Sequence, residues 1–248
     1  MEQGSALAHP LRKPVMCHRV AIQQHATVQH SRDCPRFDVR TGKRHPRRRH
    51  ARHSWHGAHP VDGDPASLGP VNEWQAEWKW DGIRAQLVRR RGRTFLWSRG
   101  EELLASRFPE IEAAAEWLPD GTVLDGDLLA WRDGKPLPFT ELQRRINRKT
   151  VGRKLLTDVP CHLLVYDCLE RDNVDVRTQS LDARRGHAIS ALTALPGGSP
   201  FGISPIVAAT SWQQLHDARA TSRDAVAEGL MLKRRAAAYG VGRRVGDW

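Results

Sequence analysis

The sequence predicts an α+β fold on antiparallel sheets with flanking helices, beginning near residue 70, and three observations predict it. Short alternating apolar runs are joined by glycine turns, helical stretches fall between them without regular strand–helix alternation, and the composition changes abruptly at residue 70. With 248 residues and 40% hydrophobic content, the chain can bury one large core or two small ones.

Residues 1–70 carry 12 lysines and arginines against 5 acidic residues, and 9 of the chain's 12 histidines. That is +7 of the formal net charge of +11. Their aromatics are Phe37 and Trp55, and Pro10, Pro14, Pro35, Pro46, Pro60, Pro65 and Pro70 interrupt any helical or strand period. The expectation is a basic, disordered segment. Its peak, Gly42-Lys43-Arg44-His45-Pro46-Arg47-Arg48-Arg49-His50-Ala51-Arg52-His53, suits a polyanion by counterion release and carries no sign of base readout.

After Pro70, Ile83, Ala85 and Leu87 alternate with Arg84 and Gln86, and Arg91-Gly92-Arg93 turns the chain back into Thr94–Ser98, which predicts an antiparallel hairpin. Pro109 suits a helix first turn, and Ile111, Ala114, Ala115 and Leu118 supply an apolar face that Pro119-Asp120-Gly121 ends. Thr122–Trp131 and His162–Leu169 read as strands. Ser211 followed by Gln214 predicts a capped helix start reaching about Ser222, and a last strand spans Glu228–Arg234. There is no internal repeat.

Cys17, Cys34, Cys161 and Cys168 form no Cys-x-x-Cys pair, which argues against a zinc ribbon or redox dithiol. No apolar run approaches the length of a membrane span or the core of a signal peptide. The expectation is a cytoplasmic protein with reduced thiols and no membrane partner.

The segment Glu77-Trp78-Lys79-Trp80-Asp81-Gly82-Ile83-Arg84 sets one lysine between tryptophans. A lysine amine attacks phosphorus only when deprotonated, which burial and a neighbouring cation favour; Trp78, Trp80 and Arg84 are the sequence neighbours for that. Four further segments follow in order: Leu96-Trp97-Ser98-Arg99-Gly100-Glu101, Val123-Leu124-Asp125-Gly126-Asp127-Leu128-Leu129, Leu164-Val165-Tyr166-Asp167-Cys168-Leu169 and Glu228-Gly229-Leu230-Met231-Leu232-Lys233. As an ordered set, from about Trp74 to Trp248, they resemble the nucleotidyltransferase (adenylation) domain of ATP-dependent DNA ligases of the bacterial type. Trp74-Gln75-Ala76-Glu77-Trp78-Lys79 and Tyr239-Gly240-Val241-Gly242-Arg243-Arg244 are the most similar stretches.

The resemblance implies an antiparallel two-sheet, ATP-grasp-like domain over residues 71–248 around a nucleotide cleft. It implies that Lys79 attacks the α-phosphate of ATP to form lysyl-AMP, that AMP passes to the 5′-phosphate of nicked double-stranded DNA, and that the 3′-hydroxyl then seals the strand. Glu77 matches a position at the adenine edge, Arg84 and Arg99 match arginines on ribose and phosphate, and Tyr166 matches an adenine-stacking aromatic. Asp127 and Glu228 match carboxylates that place Mg²⁺ or Mn²⁺, and Lys233 matches a phosphate contact. A monomer is expected. The hairpin arginines Arg89, Arg90, Arg91 and Arg93 read mostly as solvated.

Asp125-Gly126-Asp127 departs from the family's Asp-Gly-Glu, which draws the second carboxylate back by about 1 Å. The sequence also ends at Trp248, where the resemblance implies a lysine motif and an OB-fold domain. Slow self-adenylylation with weak nick sealing is therefore expected. Two alternatives stay open: a degenerate basic fragment that binds nucleic acid without catalysis, and an RNA-ligase or capping-type nucleotidyltransferase.

Overall fold

The computed structural model describes residues 63–100, 102–104, 106–148 and 150–240, with residues 53, 60 and 61 and the backbone of 21–23 and 59. Eleven strands and five α-helices appear among them. The strands are β1 (Ala21–Gln23), β2 (His59–Pro60), β3 (Trp74–Trp80), β4 (Ile83–Arg90), β5 (Arg93–Ser98), β6 (Thr122–Arg132), β7 (Lys135–Pro136), β8 (Cys161–Arg171), β9 (Val174–Asp175), β10 (Phe201–Ile203) and β11 (Ala227–Arg234). The helices are α1 (Pro109–Ala114), α2 (Phe139–Ile146), α3 (Arg153–Asp158), α4 (Leu181–Leu192) and α5 (Trp212–Ala220).

Two sheets form, as expected. The smaller runs β2-β1-β11-β3; the larger runs β10-β8-β6-β4-β5, with β7 beside β6 and β9 beside β8. Pairing is antiparallel except where β1 joins β11 and β10 joins β8. Three short elements, β1, β2 and a 3-10 turn at Pro65–Leu68, fall inside residues 1–70. The basic run at 42–53 lies outside the described residues except for His53.

Alternation along the strands decides which way each sheet faces. In β3, Trp74, Ala76 and Trp78 pack outward with Leu230 and Leu232 of β11 and Leu215 of α5, leaving Gln75, Glu77 and Lys79 on the opposite face. In the larger sheet, Ala85, Leu87, Leu124, Leu128, Leu163 and Val165 pack under Phe108, Ile111, Leu142 and Ala188. The other parity therefore places Arg84, Gln86, Asp125 and Asp127 toward the smaller sheet. The two polar faces meet in a seam, with helices outside both sheets.

The predicted hairpin forms with its turn at Arg91-Gly92, where Asp120 accepts from both turn amides at 2.9 and 3.0 Å. Ser211 caps α5 by accepting from the Gln214 amide at 3.2 Å, as the sequence predicts. Gln214 itself reaches past the cap and accepts from the amide of Thr210 at 2.7 Å.

Candidate functional site at the seam between the sheets

Two β-bulges aim the site. Ala227 pairs with Trp80 and Gly229 with Lys79, so Glu228 is the extra residue and its carboxylate forms an ion pair with the Lys79 ammonium. Asp125 pairs with Asp167 and Gly126 with Val165, which leaves Tyr166 as the extra residue of β8. Gly126 is required there, because a Cβ on it would stand 2.5 Å from the Leu164 carbonyl oxygen. Gly82, the last residue of the Lys79-x-Asp81-Gly82 turn, is held likewise: its Cβ would fall 2.6 Å from the Leu128 carbonyl oxygen.

Lys79 keeps 34% of its side chain exposed and Glu228 keeps 47%. Loss of water lowers the Lys79 pKa, opposed by the charges of Asp127 and Asp81. The Glu228 contact lies on the solvated rim, where screening weakens it and the downward direction stands. Burial, which the sequence expectation named, is the largest cause; the neighbouring cation it also named is not, since Arg84 is taken up by Asp125, 2.7 Å away. Asp127 is partly buried in the seam, and loss of water pushes its pKa to about 7, with Arg84 pulling down and Asp125 pushing up.

Further along the seam, Asp125 is fully buried and its carboxylate is saturated. It accepts from Arg84 Nε and Nη2 at 3.2 and 2.7 Å, from the Tyr166 hydroxyl at 3.2 Å and from the Tyr239 hydroxyl at 2.8 Å. Burial raises the pKa of both phenols, so both remain donors. For Arg84, burial disfavours the cation, but Asp125 overcomes it and the pKa is raised. Beside them, Glu77 accepts from Gln75 Nε2 at 2.6 Å and from Lys233 Nζ at 3.0 Å, with Arg185 of α4 3.6 Å away. The Lys233 ammonium also stands 4.0 Å from the centroid of the Tyr166 ring.

Of the residues the sequence singled out, the structure thus brings together Lys79, Asp127 and Glu228 at one end of the seam and Glu77, Tyr166, Lys233 and Arg84 at the other, Arg84 and Tyr166 sharing the Asp125 carboxylate. Arg99 is not brought in: it is exposed in the turn after β5, where only its backbone amide reaches Arg84, at the carbonyl oxygen, 3.2 Å away. Lys233 lies four strand positions from the level of Lys79, since it pairs with Gln75 while Gly229 pairs with Lys79. Asp125, Tyr239, Gln75 and Arg185 are contributors that sequence reasoning passed over. The first three sit inside segments it had quoted; Arg185, on a helix outside every motif, gave no signal.

The site is thus a half-exposed lysine of lowered pKa beside two carboxylates, at one end of a polar seam between a small sheet and a larger one. The family model described as "ATP dependent DNA ligase domain" matches residues 68–248, and the chain belongs to that family. A protein described as a probable DNA ligase from Opitutus terrae is 33% identical over 218 residues, covering 76% of this chain and 21% of its own length. A DNA ligase of Haloferax volcanii is 33% identical over 199 residues, covering 76% of this chain and 33% of its own. Among solved structures, the ligase domain of LigD from M. tuberculosis matches with TM-score 0.57 and 27% identity over 76% of this chain and 56% of that one. Mycobacterial DNA ligase D complexed with ATP and MES matches with TM-score 0.56 and 26% identity over 72% and 54%. The chain thus spans about a fifth to a third of these two curated relatives. No helix among the described residues is long and apolar enough to cross a membrane.

Proposed function

We propose that this chain is the adenylating part of an ATP-dependent DNA ligase, with Lys79 as nucleophile and nicked double-stranded DNA as the acceptor. The observation that carries the reading is Lys79 itself: half-buried, lowered in pKa, and set between Asp127 and Glu228 within the span that matches the family. In the first step the Lys79 Nζ lone pair attacks the α-phosphorus of ATP and gives up a proton. The bond from that phosphorus to the bridging oxygen breaks, and pyrophosphate leaves with the electron pair. A 5′-phosphate oxygen of the nick then displaces Lys79 from the AMP phosphorus.

The Tyr166 end suits the base. Adenine offers an exocyclic amine beside ring-nitrogen acceptors, and the seam offers a carboxylate acceptor in Glu77 beside an ammonium donor in Lys233. On this reading Lys233 serves the base edge, a different role from the phosphate contact that the resemblance implied. The Arg84 fork, held by Asp125, presents its cation at the same end.

Asp127 and Glu228 fit a divalent cation of the Mg²⁺ kind, which takes one or two carboxylates and completes its shell with phosphate oxygens and water. Bound there, it would neutralise charge on the phosphates. The protein's own part is to hold the two carboxylates beside Lys79 and to keep its amine partly desolvated.

Incubation with Mg²⁺ and ATP labelled on the α-phosphate, followed by denaturing electrophoresis, tests the reading. Covalent label is expected on the parent chain and none on Lys79→Ala; equal labelling of both would remove Lys79 from its role.

A further inference from the structure

Gln75 is wholly buried, yet its amide is only half used. Nε2 donates to Glu77 Oε1 at 2.6 Å, whereas the Gln75 carbonyl oxygen receives no donor among the described residues. Turning the amide over would set that oxygen against the Glu77 carboxylate, so the hydrogen bond fixes which end of the amide is which. A buried acceptor left unfilled is costly, and folded proteins keep few of them.

Glu77 shows the same imbalance. Lys233 Nζ stands 3.0 Å and Arg185 Nη1 3.6 Å from the oxygen that Gln75 already holds, so three partners crowd Oε1. Among the described residues none donates to Oε2. Gln75 and Glu77 lie two positions apart on the seam face of β3, and Gln75 pairs with Lys233 of β11. Their contact at 2.6 Å keeps the two unused oxygens no more than about 7 Å apart by covalent geometry. A group with two diverging N–H bonds bridges acceptors about 5 Å apart. The 6-amino group of a purine is such a donor, while a 6-oxo purine would turn lone pairs toward both oxygens.

We infer that Gln75 is a specificity-determining residue of the base site, its carbonyl oxygen taking one N–H of the 6-amino group and Glu77 Oε2 taking the other. The inference deepens the reading above, which sets the base at the Tyr166 end with its amine on Glu77. Both side chains are covered, so the base reaches them by parting the seam locally. A nucleotide that cannot fill the two acceptors then leaves them buried and unpaired, which is how a polar site rejects a near neighbour.

The test is equilibrium dialysis of nucleotides against the full chain carrying Lys79→Ala, with Mg²⁺ present, so that binding is read without the covalent step; thermal unfolding is followed beside it. This chain should bind ATP at least about a hundredfold more tightly than inosine triphosphate, the 6-oxo counterpart. Adding Gln75→Met, close in volume, should narrow that ratio by about tenfold. Purine riboside triphosphate, which carries no 6-substituent, should bind equally with and without Gln75→Met. Equal binding of ATP and inosine triphosphate, no binding of ATP, a ratio unchanged by Gln75→Met, or an equal loss of all three nucleotides overturns the role. If Gln75→Met unfolds the chain, N6-methyl-ATP answers with Gln75 in place: having one N–H left, it should bind about tenfold more weakly than ATP, and undiminished binding overturns the two-acceptor site. Labelling of the parent by ATP judges Lys79 separately, since its failure beside selective ATP binding removes the nucleophile and leaves Gln75 standing.

Discussion

At the Tyr166 end of the seam, charges are buried and matched: Lys233 lies on Glu77, Arg84 on Asp125, and Arg184 on Asp167 through two hydrogen bonds of 2.7 and 2.9 Å. At the Lys79 end the same residue types are left partly in water, and their protonation is poised for change: Lys79 is shifted down and Asp127 up to about 7. A matched, buried network holds a fixed shape for a rigid ligand to fit. A half-solvated, shifted set keeps protons that can move, which a phosphoryl transfer requires. If the proposed function holds, one seam serves recognition at one end and chemistry at the other, according to how many of its charges are satisfied before any ligand arrives.

Removing the centre of the matched end should have the largest effect on the fold. Asp125→Ala strips four hydrogen bonds at once and leaves Arg84 buried without its carboxylate. Breaking a buried pair from one side costs about 3–5 kcal/mol, so the urea midpoint should fall markedly. A loss below about 1 kcal/mol would mean that Arg84 finds another partner and that the contrast between the two ends is weaker than the geometry implies.

Much of this contrast was legible before the structure. The hairpin and the Ser211 cap follow from local turn and capping chemistry, and the ordered motifs located Lys79, Asp127 and Glu228, whereas the division of Trp74–Trp80 into a core face and a polar face emerges only with the strand. The two bulges were not legible, since they depend on register between strands far apart in sequence, and they decide where Glu228 and Tyr166 point. For the same reason the motif around Lys233 could be found but not its place along the seam. Arg185 reaches Glu77 from a separate helix, a contact across more than a hundred residues that no local pattern encodes.

Both ends hold a carboxylate raised by burial, Asp167 beside Arg184 at one and Asp127 at the other, and Asp127 is the one pushed up to about 7. Folding raises the Asp127 pKa from the ordinary carboxylate range, near 4, to about 7, so the native state holds a proton that the unfolded chain releases. Stability from this group is fully present below about pH 4 and is lost as pH rises through about 7. Urea unfolding with chelator present should show that decline in the parent and a flatter profile in Asp127→Asn. A profile unchanged by the substitution would place the proton elsewhere.

The smallest effect on stability, and the sharpest separation of the two ends, is expected from Glu228→Gln. The Lys79–Glu228 pair is solvated at both members, and exposed pairs contribute up to about 1 kcal/mol, often nothing measurable. Thermal unfolding of the variant should therefore stay close to the parent's. Its chemistry should not: with a carboxylate lost beside Lys79 the amine gives up its proton more readily, so an amine-directed reagent should label Lys79 faster at neutral pH without nucleotide. Adenylylation with Mg²⁺ should become slower, because one of the two carboxylates suited to the cation is gone. These opposite changes distinguish an active-site carboxylate from a surface partner. If reagent and ATP both labelled Lys79 at the parent's rates, Glu228 would be a rim residue whose ion pair has no functional consequence.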